Sequence, residues 1–427
     1  MLGLLDLRER GERLEPSRFE SDPSVIGTVR EILERVRTDG DDVLVELAQR
    51  FDGADLAAGG LIVTADELDR AGSEIPGDLR DALDSLILRL HDLHRRQLPA
   101  EWWDERDGVR FGEIVRPLVA VGCYVPGGRA VYPSSVCMTV VPAVVAGVER
   151  IVLCTPPRSD GSISPAVLYA ANRAGATLVV KCGGAQAIAA MAFGTASVPA
   201  VDRIVGPGNA FVTEAKRQVA GLVGIDGLAG PSELAIVADA GIDPVLAALD
   251  LIAQAEHDPQ ARTFLVTTDP GVVEKVAEAL DDAVHRAGRR EIVDEALRHT
   301  RAVLVRDLAH AAEVIDDLAP EHLLLLVADP DAFLATVRNA GAVFLGPWSA
   351  VPFGDYGVAS NHVLPTAGNA RFGSGLRAAD LVTVRSVVEM TPESAARLAP
   401  ETSTIARSEG LVGHAAAMDA RTTKDDE

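Results

Sequence analysis

Four of the nine histidines stand near acids or a glutamine, in segments far apart along the chain: His257 three residues after Gln254, His322 after Glu321, His362 seven residues after Asp355, and His414 behind Glu409. Imidazole titrates near neutrality and suits proton abstraction from an alcohol or a hydrate, with an adjacent carboxylate to tune it or hold a water. Imidazole and carboxylate are also the usual zinc donors where no suitable thiolate is available. Gln254 and His257 share one face near the end of a predicted helix, so both can reach one ion; taken alone, they read more readily as surface polar residues. Glu321-His322 directly precedes a predicted strand and reads either as an acid-base pair or as a strand-entry pair making local hydrogen bonds. Neither Glu-His dipeptide continues as H-E-x-x-H, which excludes a metalloprotease helix. Asp355 and His362 lie in a stretch, 346–379, rich in Gly, Pro, Asn and Ser; a structureless run of that length is usually functional or disordered, and its aromatics and sparse charge favour function.

A second set of residues sits where predicted strands open into glycine turns. Tyr124 lies in VGCYVPGG, Gln186 in KCGGAQA and Asn209 in VGPGNAF. Ligands of open α/β sheets bind where strands end, and a glycine turn entering a helix offers bare N–H groups to an anion such as a pyrophosphate. One such turn is ordinary turn chemistry; three together point to a nucleotide or phosphate site. A G-x-G-x-x-G fingerprint in context is absent, because its nearest match, Gly373 to Ala378, follows no strand.

The elements that must position these groups alternate along the chain. Apolar runs at 118–123, 150–154, 178–181 and 201–205 alternate with helical patterns, and a second series of strands follows at 234–238, 263–267, 302–305, 323–327 and 342–345. That alternation predicts parallel sheets wrapped by helices, in two α/β units laid out in tandem. Residues 25–36, 43–51, 65–71, 79–93 and 392–420 read as helical. In the helix predicted over 243–257, Leu246, Leu249 and Ala253 form the apolar stripe, with Asp250, Gln254 and His257 on the other face. With 427 residues and 48% apolar positions, the chain has room for two or three cored domains. Forty basic against 63 acidic residues, a net charge of −23, argue against nucleic acid or an anionic membrane as partner. No basic start followed by a long apolar core marks a secretory signal, and no apolar run is long enough to span a bilayer, so a cytoplasmic enzyme is expected. The four cysteines, Cys123, Cys137, Cys154 and Cys182, form no C-x-x-C pair and read as reduced core residues.

The segments VGCYVPGGRAVYPSSV, GGAQAIAAMAFGT, VGPGNAFVTEAKR, GIDGLAGPSE, QAEHD, APEHL, GDYGVASNHVLPTAG and EGLVGH resemble, in the same order, the signature segments of the histidinol dehydrogenase family. The resemblance runs from about residue 23 to the tail. It implies an NAD-dependent, zinc-requiring enzyme that oxidises L-histidinol through histidinal to L-histidine. By motif, Gln254, His257, Asp355 and His414 would ligate the metal, and Glu321 and His322 would be the acid-base pair. Ser232, His362 and Glu409 would contact substrate together with the metal site, and Tyr124, Gln186 and Asn209 would contact NAD. It further implies two Rossmann-like, incomplete doubly wound domains and a homodimer in which the tail of one subunit completes the partner's site. The expected division is a helical segment over 1–22, a discontinuous metal and catalytic domain over 23–122 and 234–376, an NAD domain over 123–233, and a helical tail over 377–427. Departures from the family pattern are Cys123 and Cys182, where Leu or Val is expected, and the stretch 376–390, which lacks expected aromatic and basic residues. The alternatives are a related zinc and NAD dehydrogenase for another alcohol such as sulfopropanediol, and an α/β small-molecule binding protein without catalysis.

Overall fold

The strand Glu233–Ala238 consists of six consecutive buried residues, and a strand with no face for water is stable only inside a sheet covered on both sides. The computed structural model, which describes residues 2–9, 14, 21–57, 59–127, 131–358 and 360–422, places it within a six-stranded parallel sheet. The order is Gly3–Asp6, Arg301–Leu304, Arg262–Thr267, Glu233–Ala238, His322–Leu326 and Ala342–Leu345. Its register sets His322 opposite Leu234. A second parallel sheet runs Leu178–Lys181, Arg150–Thr155, Ala120–Tyr124, Arg203–Val205 and Gly224–Ile225. Apart from the strand Gly3–Asp6 added at one edge, both sheets share one order, in which the first strand in sequence is flanked by the second and the fourth. The parallel sheets expected from the alternation thus take the doubly wound arrangement that the family resemblance implies.

The chain forms two compact units, Met1–Gln97 with Leu118–Leu381, and Leu98–Pro117 with Val382–Glu427. Both parallel sheets belong to the first. The second is built on a three-stranded antiparallel sheet, Val382–Met390, Val109–Pro117 and Trp102–Arg106, followed by the helices Pro392–Ser408 and Val412–Asp419, which pack on each other. No helix among the described residues is long and apolar enough to cross a membrane. All four cysteines are buried and unpaired, with burial pushing the Cys123 and Cys137 thiols up to about 12.

Three expectations need correction. Residues 23–95 do not join 234–376: the inward faces of the helices Pro23–Asp39 and Asp41–Asp52, including Val29, Leu33, Leu44 and Leu47, share one apolar core with Val152 and Val180 of the other sheet and Ile188 of the helix Gly184–Phe193. Those apolar stripes cover a sheet face that would otherwise meet water. Within the expected helical segment 1–22, Gly3–Asp6 is a strand paired with Arg301–Leu304, and most of the rest lies outside the described residues. Within the expected helical tail, 382–390 is a strand; its Val-Thr-Val alternation fits an antiparallel ladder with Val109–Pro117. Gly128 of the first glycine turn and residues 423–427 also lie outside the described residues.

This packing distinguishes two leucines. Leu44→Ala, at a position with no exposure, is expected to cost about 3 kcal/mol. Leu249→Ala, at a position 50% exposed, should change stability by no more than about 0.5 kcal/mol, both read from urea denaturation midpoints. Equal shifts would contradict the assignment of the N-terminal helices to this core.

Candidate active site

The helix Pro244–Ala255 is capped by Asp243, which accepts from Val245 N–H at 2.9 Å, and has Pro in its first turn where the lost N–H costs nothing. Its burial inverts the expected stripe: Ala247, Ala248, Asp250, Leu251 and Gln254 are buried, whereas Leu249 is half exposed. Asp250 and Gln254 of the polar face thus point inward, whereas His257 is exposed. Gln254 is buried, and its amide Nε2 is a buried atom with no hydrogen-bond partner. His257 follows just past the helix end, and its Nε2 lies 3.8 Å from Asp355 Oδ2.

Asp355 ends the short helix Pro352–Asp355. The start of that helix is tied to the first one, because Asp250 Oδ1 accepts from Val351 N–H at 3.2 Å. Gly354 is required there, since a Cβ would meet the Phe344 ring at 2.6 Å. Burial pushes the Asp355 carboxyl up to about 7.

His322 opens the strand His322–Leu326 and is buried. Its Nδ1 lies 3.2 Å from the carbonyl oxygen of Glu233. A carbonyl only accepts, so Nδ1 carries the proton and Nε2 presents its lone pair, 3.9 Å from Asp355 Oδ1. Burial pulls this imidazole down to about 3, so it is neutral in the physiological range. Glu321 Oε2 accepts the N–H of Glu233 at 2.9 Å and lies 3.6 Å from His322 Nδ1. Burial, with smaller contributions from the Glu233 and Asp355 charges, raises the Glu321 carboxyl well above its usual range.

His362 shows the same logic. Its Nδ1–H donates to the Asp355 carbonyl at 3.2 Å, which leaves Nε2 to accept from the Ser135 hydroxyl at 3.1 Å. Burial pulls His362 down to about 4.

Across the cavity are the three turns. The Tyr124 hydroxyl accepts from Gly184 N–H at 3.1 Å. Gly206, at φ 117°, must be glycine, because a Cβ would meet the Tyr124 carbonyl at 2.1 Å. Asn209 caps the helix Ala210–Val219 through Oδ1, which accepts from Phe211 and Val212 N–H, so its amide NH2 is the group left to face a ligand. Beneath the turn, Lys216 Nζ donates to the Gly206 carbonyl at 2.5 Å and pairs with Asp226 at 2.6 Å, while Asp226 accepts Gly206 N–H.

Ten of the twelve residues singled out from sequence line one cavity of about 1580 Å³: Tyr124, Gln186, Asn209, Ser232, Gln254, His257, Glu321, His322, Asp355 and His362. That volume exceeds what one small ligand fills and suits a substrate and a dinucleotide side by side. Glu409 and His414 belong to the second compact unit, where both are exposed. Sequence reasoning missed Ser135, Lys216, Asp226 and Glu233. Lys216 was findable, since it shares a buried helical stripe with Val212, Ala215 and Val219, where a lysine is out of place without a partner. Ser135 and Glu233 carry no local signal, because their partners lie far away in sequence.

Comparison with known proteins places these features in context. A family model described as histidinol dehydrogenase matches residues 16–422. The chain is 45% identical over 412 residues to the histidinol dehydrogenase of Methanothermobacter thermautotrophicus, covering 96% of each chain. It is 46% identical over 405 residues to that of Rhodospirillum rubrum, covering 94% of this chain and 93% of that one. The crystal structure of histidinol dehydrogenase from Elizabethkingia anophelis superposes with a TM-score of 0.93 at 31% identity over 98% of both chains.

Proposed function

The chain belongs to the histidinol dehydrogenase family, whose reaction is the final step of histidine biosynthesis, and we propose that it oxidises L-histidinol through L-histidinal to L-histidine with NAD and one zinc ion per site. The observation that carries this reading is the orientation of His322, whose Nδ1–H is held by the Glu233 carbonyl so that Nε2 faces the cavity beside Asp355.

The donor set fits a zinc ion, but incompletely within one unit. Among the described residues no group of three or more His, Cys, Asp or Glu is placed to hold an ion. Gln254, His257 and Asp355 supply three neutral or anionic donors, and the unpartnered Gln254 amide, turned over, offers its oxygen instead of its nitrogen. His257 and Asp355 donors 3.8 Å apart compare with roughly 3.3 Å for two ligands of one tetrahedral zinc, so a small closure brings them together. His414 completes the set, and with Glu409 we assign it to a second copy of the chain, a reading supported by the exposure of both residues. When bound, zinc supplies a template that holds substrate nitrogens and fixes the alcohol carbon.

The chain's own groups then divide the proton work. His322 Nε2 would take the hydroxyl proton, with bound NAD serving as the hydride acceptor, and an ionised Asp355 nearby would stabilise the imidazolium. Glu321, whose burial makes its carboxylate strongly basic, removes a proton from the water that adds to the aldehyde. The hydrate then yields a second hydride. The sum is R–CH2OH plus water and two NAD⁺, giving R–COO⁻, two NADH and three H⁺. The Tyr124, Gln186 and Asn209 turns receive the dinucleotide through N–H and amide donors, consistent with an acidic chain that has no basic run.

Complete turnover of a limiting amount of histidinol should yield two NADH per molecule, and dihydroxypropanesulfonate should yield none; one NADH per histidinol would overturn the two-step reading. His322→Asn is expected to lower kcat about 10²- to 10⁴-fold with little change in KM for histidinol.

The shared site has its own test. His257→Asn and His414→Asn proteins, each inactive alone, should regain activity when unfolded and refolded together, because a mixed dimer holds one intact site. If mixing restores nothing, the tail does not act in trans.

A further inference from the structure

The acid-base pair and the loop bearing Asp355 and His362 are separated by more than thirty residues of chain, and one side chain joins them. Glu233 opens the strand Glu233–Ala238 with its carboxylate only 3% exposed. Its backbone already serves both members of the pair, since its N–H donates to Glu321 and its carbonyl accepts from His322. Its side chain reaches the other way, where Oε2 accepts the N–H of Ala367 at 3.1 Å. Ala367 is held at φ 53°, a left-handed backbone that a non-glycine residue adopts only when its surroundings impose it. The neighbouring hydroxyl of Thr366 accepts from Gly230 N–H at 2.5 Å, so the loop docks on 230–233 at two successive residues. Arg262 lies 3.7 Å from Glu233 Oε1 on the more exposed side.

We propose that Glu233 is a positioning residue: its buried carboxylate anchors the loop through Ala367 and so sets Asp355 and His362 against the strand edge that carries Glu321 and His322. Glu233 touches neither substrate nor cofactor in this account. Its effect runs through the loop, and the catalytic part of the claim rests on the function proposed above. What matters is an acceptor oxygen at the right reach. A charge nearby does not substitute for it.

Glu233→Gln and Glu233→Asp separate the two. Glutamine keeps an oxygen at the same reach and loses the charge; aspartate keeps the charge and withdraws the oxygen by one methylene. Glu233→Gln should retain kcat within about threefold of wild type, whereas Glu233→Asp should lose about a hundredfold in kcat while KM for NAD stays unchanged. A chelator competition with zinc, read on the same proteins without substrate, should show affinity near wild type for Glu233→Gln and at least about tenfold weaker binding for Glu233→Asp, the range seen when groups supporting metal ligands are lost. Active Glu233→Asp with impaired Glu233→Gln would make the charge the active element and overturn the proposal, as would wild-type kcat and zinc affinity in both. If wild type itself makes no NADH from histidinol, the functional reading fails instead, and the chelator competition still reports whether Glu233 sets the loop.

Discussion

Four ionisable side chains removed from water at one end of a sheet form the constraint around which this molecule is arranged. Burial is the first cause of every shift: it raises Asp355 to about 7 and Glu321 well above its usual range, and lowers His322 to about 3 and His362 to about 4. An empty site of this kind is least costly with its acids protonated and its imidazoles neutral. A divalent cation or a substrate ammonium reverses that preference, because it stabilises the carboxylates without charging the imidazoles. The cluster is therefore matched to a positive ligand before one arrives. Its geometry is kept by backbone hydrogen bonds from Glu233, Val351 and Asp355, which do not titrate.

The two parallel sheets share one strand order but are used from opposite edges. In the sheet containing Ala120–Tyr124 the ligand-facing groups follow the strands, at Tyr124, Gln186 and Asn209, as the rule for open α/β sheets requires. In the sheet containing Glu233–Ala238 they precede the strands, at Ser232, Glu321 and His322. A similar layout in tandem thus brings residues from both halves to one cavity, where the proposed function would take the cofactor from one half and the proton chemistry from the other. The central strands on both sides are wholly buried, so neither edge shifts register cheaply.

Much of this was legible in the residues. The alternation of apolar runs predicts both sheets, and motif order locates ten cavity residues spread over more than two hundred positions. Illegible features had one common cause, namely tertiary partners with no local trace. The helices of 23–95 carry ordinary amphipathic stripes that do not say which sheet they cover. The helix bearing Asp250 and Gln254 was read inside out, because a hydrophobicity stripe cannot show that these two polar side chains are buried. The strand 382–390 was hidden by its position next to two helices, although its alternation is visible in hindsight. Glu233 looks like the last letter of a motif until its contacts with Ala367, Glu321 and His322 are seen together.

The central claim is that His322 Nε2, fixed by the Glu233 carbonyl, receives the alcohol proton. A crystal structure of the zinc-loaded protein with histidinol tests it most directly. The account predicts the substrate hydroxyl within hydrogen-bond distance of His322 Nε2, with Nδ1 still on the Glu233 carbonyl. A hydroxyl bound by another group, with the His322 ring turned off that carbonyl, would contradict it.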